Sequence, residues 1–289
     1  MPRVTDKQLA LFLIVPLILF VATINIYPIG YSLWLSFNKI NLVDGVTNYV
    51  GLANYLKISG DPFLSNSFFV SARFVLESTA LIIVISLITA LVLAQSFRGQ
   101  PILKVIVILP WALSEFAVAI AGRFFLDRNY GFLNAFLKNI GVVKEGINFL
   151  DATFAVEWLA IFFAWNVAPL GAYFILSAIQ TIPEDLHKQA RIDGASPIMR
   201  FRNVTFPFIR YAVLITGVLA CILSTSSVVI SFALTGGGPG MASTPVTLYN
   251  FRVFFYNQDY GYGAAISWLT LVAVLFLTIA YFRLLTRRR

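Results

Sequence analysis

The chain has a single cysteine and a single histidine. One thiol, Cys221, excludes an internal disulfide and any cysteine-based zinc site. One imidazole, His187, excludes a histidine-cluster metal centre. Acidic residues are scarce, 13 in 289, which leaves little material for acid–base chemistry. Charged residues of both signs make up only 12% of the chain, about half the share usual in a soluble domain. No phosphate-binding Gly-x-x-x-x-Gly-Lys-Ser/Thr loop occurs anywhere. The composition therefore argues against a soluble enzyme, and against one that hydrolyses ATP itself.

What fills the chain instead is apolar. Hydrophobic residues make up 59% and the mean hydropathy is +0.83. A membrane-spanning helix needs about 20 mainly apolar residues. Six stretches meet that length: Leu9–Phe37, Phe68–Phe97, Ile102–Leu126, Phe154–Ile179, Phe208–Leu234 and Ala264–Leu285. The first is too long for a secretion signal and no small-residue cleavage site follows it. Within it, Tyr27-Pro28-Ile29-Gly30 is expected to end or kink the helix. The fold class expected is an all-α integral membrane protein with six spans in a single domain over 1–289.

The net charge of +8 is unevenly placed. The termini and the connections after spans two and four carry Arg3, Lys7, Arg98, Lys104, Lys188, Arg191, Arg200, Arg202, Arg210, Arg283 and Arg287–Arg289 on short segments. The other side has longer loops in which Lys39, Lys57, Arg128, Lys138, Lys144 and Arg252 are diluted. Basic residues accumulate on cytoplasmic loops, so both termini are expected in the cytoplasm. An even number of spans agrees.

Ionisable residues inside apolar spans are few. Arg73 and Glu77 are four apart and can pair on one helix face. Glu115, Arg123 and Glu157 are the others, each able to face a polar cavity or a neighbouring subunit. No chain of titratable groups crosses the membrane, so a proton relay is not supported. Ser224-Thr225-Ser226-Ser227 forms a hydroxyl run in span five, suited to helix packing or to holding a hydroxyl-rich solute. Span four carries Trp165, Asn166 and Tyr173 around Pro169, again open to both uses. Asn166, Tyr173, Ser224 and Ser227 are the candidate solute-path residues.

The most informative segment is Thr181–Pro207. Thr181 and Glu184 fit a capping box, with Pro183 in the first turn. Gly194 is a helix stop. Ser196-Pro197 opens a second short helix, and Pro207 is expected to break the chain before span five. Membrane topology alone does not require two capped helices in a loop. The run Gly236–Gly240 lacks the lysine and hydroxyl end of a phosphate loop and reads as a tight turn after span five.

This loop resembles the EAA motif of ATP-binding-cassette (ABC) importer permeases. Lys188-Gln189-Ala190, Gly194 and Val204-Thr205-Phe206-Pro207 fall at its spacing, and Asp193-Gly194-Ala195 is similar to the sugar branch. Lys188 replaces the glutamate of the motif and reverses its charge. Tyr27-Pro28-Ile29-Gly30-Tyr31, Gly51-Leu52-Ala53-Asn54-Tyr55, Leu109-Pro110-Trp111-Ala112, Tyr130-Gly131-Phe132-Leu133-Asn134, Leu234-Thr235-Gly236-Gly237-Gly238-Pro239-Gly240 and Tyr260-Gly261-Tyr262-Gly263 extend the likeness to maltose-type permeases.

The resemblance implies the type I importer fold, with a coupling helix between spans four and five. It implies import of a mono- or oligosaccharide by alternating access. It further implies a second permease subunit, two ATPase subunits, an extracytoplasmic solute-binding protein and membrane lipid as partners, and no nucleic acid. No cofactor is expected on this chain, and ATP and Mg belong to the ATPases. Glu184, Asp185, Leu186, Lys188, Ala190, Arg191, Asp193, Gly194, Ala195 and Pro207 are the implied coupling residues. A non-sugar solute such as glycerol phosphate or a polyamine is the alternative. A secondary transporter is a further one, against which the absence of an internal repeat counts.

Overall fold

The computed structural model describes residues 6–40 and 46–286. Arg3 and Arg287–Arg289 lie outside them. Among the described residues, five helices are long and apolar enough to cross a membrane, and a bent helix pair supplies a sixth span. The described residues divide into two compact units, residues 1–61 with 250–272, and residues 62–249 with 273–289.

In the first unit, α1 (Asp6–Val21) and α2 (Tyr27–Ser36) join through a π-helical turn, Ala22–Ile26. Of the two outcomes expected at Tyr27–Gly30, an end or a kink, the helix does not end there. The Tyr27 N–H bonds to the carbonyl of Ala22, five residues back. This wider turn lies directly ahead of the proline, which has no N–H to give. Proline is accommodated by a local change of pitch rather than by termination.

A short antiparallel ribbon follows, β1 (Asn38–Ile40) with β2 (Thr47–Tyr49). The all-α expectation missed it. Helix α3 (Ala53–Ser59) then packs back. The Asn54 amide donates to the carbonyls of Ser36 (2.9 Å) and Asn38 (3.0 Å), and the Tyr55 hydroxyl reaches Ser36 Oγ at 2.7 Å. At Gly261, a Cβ would collide with the Asn38 carbonyl oxygen. The Tyr262 hydroxyl donates to Asp61 (2.6 Å), and Lys57 pairs with Asp259 (2.7 Å) over the Tyr262 ring. Two motifs far apart in sequence, around Asn54 and Gly261, thus hold one corner of this unit.

The second unit is built on α4 (Pro62–Leu93) and α8 (Ala155–Gln180), with α11 (Phe206–Ser226) against both. Leu64, Ser67, Val70, Phe74, Ser78, Ile82, Ser86, Ala90 and Leu93 form the buried stripe of α4. Their spacing of three and four residues follows the helical period. Small residues in the stripe let backbones approach, which drives helix association where lipid removes the hydrophobic incentive. The Phe74 and Phe163 rings meet edge to face at 5.5 Å. Three other helices complete this unit's outer parts: α5 (Gln100–Ala112), α6 (Glu115–Leu126) and α7 (Phe132–Asn139). Helix α12 (Val229–Leu234) follows α11. Helices α13 (Val246–Phe255) and α14 (Tyr260–Thr286) run across the division between the units.

Two expected spans are broken. Span three is α5 plus α6, bent by 93°. Leu113 and Ser114 are extended between them, and the Ser114 hydroxyl caps α6 by accepting from the Ala117 N–H at 3.2 Å. Span five ends as α11 at Ser226, and α12 resumes after an extended Ser227. Three consecutive back-bonded hydroxyls precede that break. Ser224, Thr225 and Ser226 bond back to the carbonyls of Ala220 (2.6 Å), Cys221 (2.7 Å) and Ile222 (2.8 Å). Such back-bonding competes with the helical ladder. The glycine run forms the expected turn: Gly236, Gly237 and Gly240 have φ of +61°, +79° and +53°.

Candidate functional site

Two regions concentrate the polar chemistry. The first lies where the two broken spans meet α8. Each break frees backbone groups that lipid does not satisfy. The Asn166 amide, on α8, donates to the carbonyls of Pro110 (2.6 Å) and Leu113 (3.3 Å) at the first break. Thr247 donates its hydroxyl to the Ser227 carbonyl at the second (2.8 Å). One oxygen of Glu115 accepts from the Ser227 hydroxyl and from the Ile230 N–H, the latter at 2.8 Å. Glu115 is the first residue of α6, and Ile230 lies in the first turn of α12. A single carboxylate therefore sits at the starts of two half-helices, where their dipoles favour negative charge.

The four candidate path residues are all engaged. Asn166, Ser224 and Ser227 are buried, and the bonds above occupy them. The Tyr173 hydroxyl donates to the Lys104 carbonyl at 2.6 Å, tying α8 to α5. Each donates its polar hydrogen to a partner within the chain. Trp165 is about half exposed.

Near the start of α8, Arg73 bonds Glu77 at 2.9 Å and also pairs with Glu157. The pair expected within α4 is present. The bridge to α8 through Glu157 was not foreseen, because nothing in the sequence relates positions so far apart. Arg123 is exposed.

The second region is the loop after α8. Helix α9 (Glu184–Ile192) begins at Pro183 with no side-chain cap. The expected capping box is absent: the Thr181 hydroxyl donates back to the Ala178 carbonyl at 2.8 Å. Thr181 still belongs to the last turn before it, so proline takes the capping position. Gly194 stops the helix as expected, with φ +76°. The Gly194 and Ala195 N–H groups close it on the Arg191 (3.1 Å) and Ala190 (2.9 Å) carbonyls. No neighbour lies within 4 Å of a Cβ placed there, so backbone conformation and not space requires the glycine.

Ser196 caps α10 (Pro197–Arg200), accepting from the Met199 N–H at 3.3 Å, with Pro197 in its first turn. Pro207 does not break the chain. A π-helical turn, Phe201–Thr205, carries α10 directly into α11, and the Phe206 N–H bonds Phe201 five residues back. This is the same solution as at Pro28.

Leu186 packs on a cluster of Leu93, Ile175, Ile182 and Ile209 together with Phe201 and Val204. It pins α9 to the helices above it. The opposite surface is open: Glu184, Asp185, Lys188, Arg191 and Asp193 are exposed, and Ile192 and Ile198 are 85% and 80% exposed. Ala190 and Ala195 are half-buried, and Pro207 is exposed. Lys188 pairs with Glu184 (3.2 Å) and Asp185 (3.4 Å) on its own helix. Among the described residues no cluster of three metal-ligating side chains occurs.

Comparison with known proteins agrees with this architecture. Residues 82–289 match the family described as binding-protein-dependent transport system inner membrane component. The trehalose/maltose transport system permease protein MalF of Thermococcus litoralis is 33% identical over 286 residues, 98% of this chain and 96% of that protein. The sulfoquinovosyl glycerol permease SmoG of Agrobacterium fabrum is 26% identical, over 97% of this chain and 91% of its own length. A crystal structure of a bacterial ABC transporter importing the acidic polysaccharide alginate has a similar chain: TM-score 0.79, 18% identity, 98% of this chain and 96% of that one. The chain thus belongs to the binding-protein-dependent inner membrane component family, as a multi-pass membrane permease subunit of an ABC importer and not an enzyme.

Proposed function

We propose that this permease moves a mono- or oligosaccharide across the cytoplasmic membrane by alternating access. Both termini and the α9–α10 loop face the cytoplasm, where basic residues concentrate. Its partners are a second permease subunit, two ATPase subunits carrying ATP and Mg, and an extracytoplasmic solute-binding protein. The similarity to permeases of trehalose/maltose and sulfoquinovosyl glycerol systems supports a sugar. A relative named for sn-glycerol-3-phosphate, the permease UgpA of Yersinia enterocolitica at 28% identity, keeps a phosphorylated polyol as the second reading. An alginate transporter in complex with its oligosaccharide-bound periplasmic protein, of similar fold (TM-score 0.81), supports delivery by a binding protein.

The observation that carries the coupling role is α9 itself. It is closed by Gly194 and anchored inward by Leu186, while Ile192 and Ile198 stay exposed beside charged residues. A short rigid helix presenting apolar side chains outside the spans suits a socket on an ATPase. With Lys188 paired to Glu184 and Asp185 on its own helix, the exposed Arg191 and Asp193 add charge to the rim. Gly194→Val is expected to insert normally yet lose most solute-stimulated ATP hydrolysis in the reconstituted complex. Full stimulation in that variant refutes the coupling role. A binding assay on the partner receptor with sugars against glycerol phosphate decides the solute.

A further inference from the structure

Helix α7 lies outside the six spans, and its side chains divide among three faces. Asn134, Leu133 and Leu137 turn toward the protein. The buried Asn134 amide donates to the carbonyls of Asp127 (3.0 Å) and Ile147 (3.0 Å), and its oxygen accepts from the Ile147 N–H (2.8 Å). Leu133 and Leu137 are half-buried. Ala135, Lys138 and Asn139 make an exposed flank with one charge. Phe132, Phe136 and the C-cap residue Ile140 recur every four residues on the third face, each exposed over half its surface or more. Such a row, turned away from the protein, costs free energy in water and calls for a cover.

That third face continues the apolar surface of span three. The Phe125 ring on α6 stacks on Phe132 at 5.7 Å, Phe132 stacks on Phe136 at 6.4 Å, and Phe125 meets Phe162 of α8 at 6.3 Å. Phe124 beside it on α6 is exposed as well, and its ring lies 6.3 Å from that of the exposed Tyr130. Exposed rings on a membrane span are of the kind that lipid covers, and stacked rings carry that surface onto α7. A protein cover fits less well. Eight helical residues span about 12 Å, and three side chains fall far short of the roughly 1,000 Å² that a specific protein interface buries.

We infer that α7 is an interfacial helix lying in the headgroup boundary of the bilayer. Phe132, Phe136 and Ile140 reach into the acyl region, while Lys138 and Asn139 stay in water. Aromatic rings on a short amphipathic helix are the chemistry which that boundary favours. The bend of 93° in span three gives this arrangement a use. A straight helix has its depth set by its own length, and the bent pair does not. Helix α7 rides on the boundary, and Asn134 ties it to Asp127 just after α6 and to Ile147 ahead of α8, so it fixes the depth of that corner. That the boundary is the outer one rests on the orientation proposed above; the interfacial position does not.

The test uses the full chain in phosphatidylcholine–phosphatidylglycerol nanodiscs, alone and co-purified with its partner subunits. A Cys221→Ser background carries one new cysteine bearing a nitrobenzoxadiazole label. At Phe136→Cys and Ile140→Cys the emission is expected to shift to the blue. Lipids brominated near the glycerol end of the acyl chain should quench it more than lipids brominated at the chain terminus. At Lys138→Cys neither the shift nor the quenching is expected. Adding Phe132→Ser and Phe136→Ser should abolish both at Ile140→Cys, with Asn134 and its bonds left in place.

A water-like emission at Phe136→Cys means an uncovered face. A blue shift without quenching, or quenching lost on assembly with the partners, means a protein cover. Stronger quenching from the chain terminus means a helix sunk within the hydrocarbon. Each of these overturns the inference. Orientation is read separately, by an impermeant thiol reagent on Lys138→Cys in intact cells. Failure to react from outside overturns the outer placement alone.

Discussion

Gly171 offers a quantitative test of the central packing. It lies on α8 where α4 and α11 come closest. A Cβ there would sit 2.5 Å from Ser86 Oγ, 2.5 Å from Thr216 Cγ2 and 3.2 Å from Ser86 Cβ. These distances are far inside ordinary contact, so Gly171→Ala forces helices apart or turns side chains. Such overpacking costs about 1–3 kcal/mol. Turning Ser86 also breaks its 2.8 Å bond to the Ala168 carbonyl, a loss of about 1 kcal/mol. The better helix propensity of alanine offsets that by about 1 kcal/mol. The net is about 2 kcal/mol, or a fall of roughly 4–8 °C in the unfolding midpoint of the detergent-solubilised protein.

Two further substitutions make the reasoning specific. Ser86→Ala removes the Oγ and Thr216→Ser removes the Cγ2, while a serine keeps the hydroxyl bond to the Ala212 carbonyl. The triple variant is expected to recover more than half of the lost midpoint. A Gly171→Ala protein as stable as its parent, or a triple variant no better than the single, refutes the close-approach argument.

Other consequences are as direct. Arg73→Met leaves Glu77 and Glu157 facing each other, each about a third exposed. A loss of about 1–2 kcal/mol is expected, with partial recovery on adding Glu157→Gln, read by thermal unfolding. Asn166→Leu strands the Pro110 and Leu113 carbonyls, and is expected to cost about 1–3 kcal/mol; unchanged stability there would show that the break does not need its donor. Asp127, in the loop after α6, accepts from the N–H groups of Asn129 (2.8 Å) and Tyr130 (3.2 Å). The Asn129 bond chiefly holds its carboxyl below the ordinary value. A depressed carboxyl stabilises the folded turn above its ordinary value, and that stabilisation is lost as pH falls through the lowered one. Amide exchange at Asn129 and Tyr130, corrected for intrinsic rates, should therefore accelerate on acidification in the parent and lose that dependence in Asp127→Asn.

Much of this architecture was legible because lipid makes simple demands. Length and hydropathy placed all six stretches; structure moves the start of the second by six residues, to Pro62, and ends the fifth at Ser226, eight residues before the expected Leu234. The Gly194 stop and the Ser196 cap were readable since each depends only on residues within one turn. Pro207 misled for a local reason. Pro28 and Pro207 each remove a donor, but a π-helical turn ahead of each absorbs the defect, and sequence gives no sign of whether a proline ends, bends or is taken into a helix. Thr181 misled because its hydroxyl had an equally near acceptor in the preceding helix.

The breaks were illegible for a different reason, and they change what polar residues within the spans mean. Asn166, Ser224, Ser227 and Tyr173 look like solute-binding groups when a span is imagined as an unbroken helix, whose backbone needs nothing. Once spans three and five are interrupted, backbone groups at Pro110, Leu113, Ser227 and Ile230 need partners that lipid does not supply. Asn166, Thr247 and Glu115 meet that need, over sequence separations that no local pattern encodes. In a membrane chain so poor in charge, a polar side chain beside a helix break is therefore accounted for first by the break. Only donors and acceptors left over from that accounting are available to a passing solute. By that criterion the donor groups of these four side chains and the Glu115 oxygen that accepts from Ile230 are already committed to bonds within the chain.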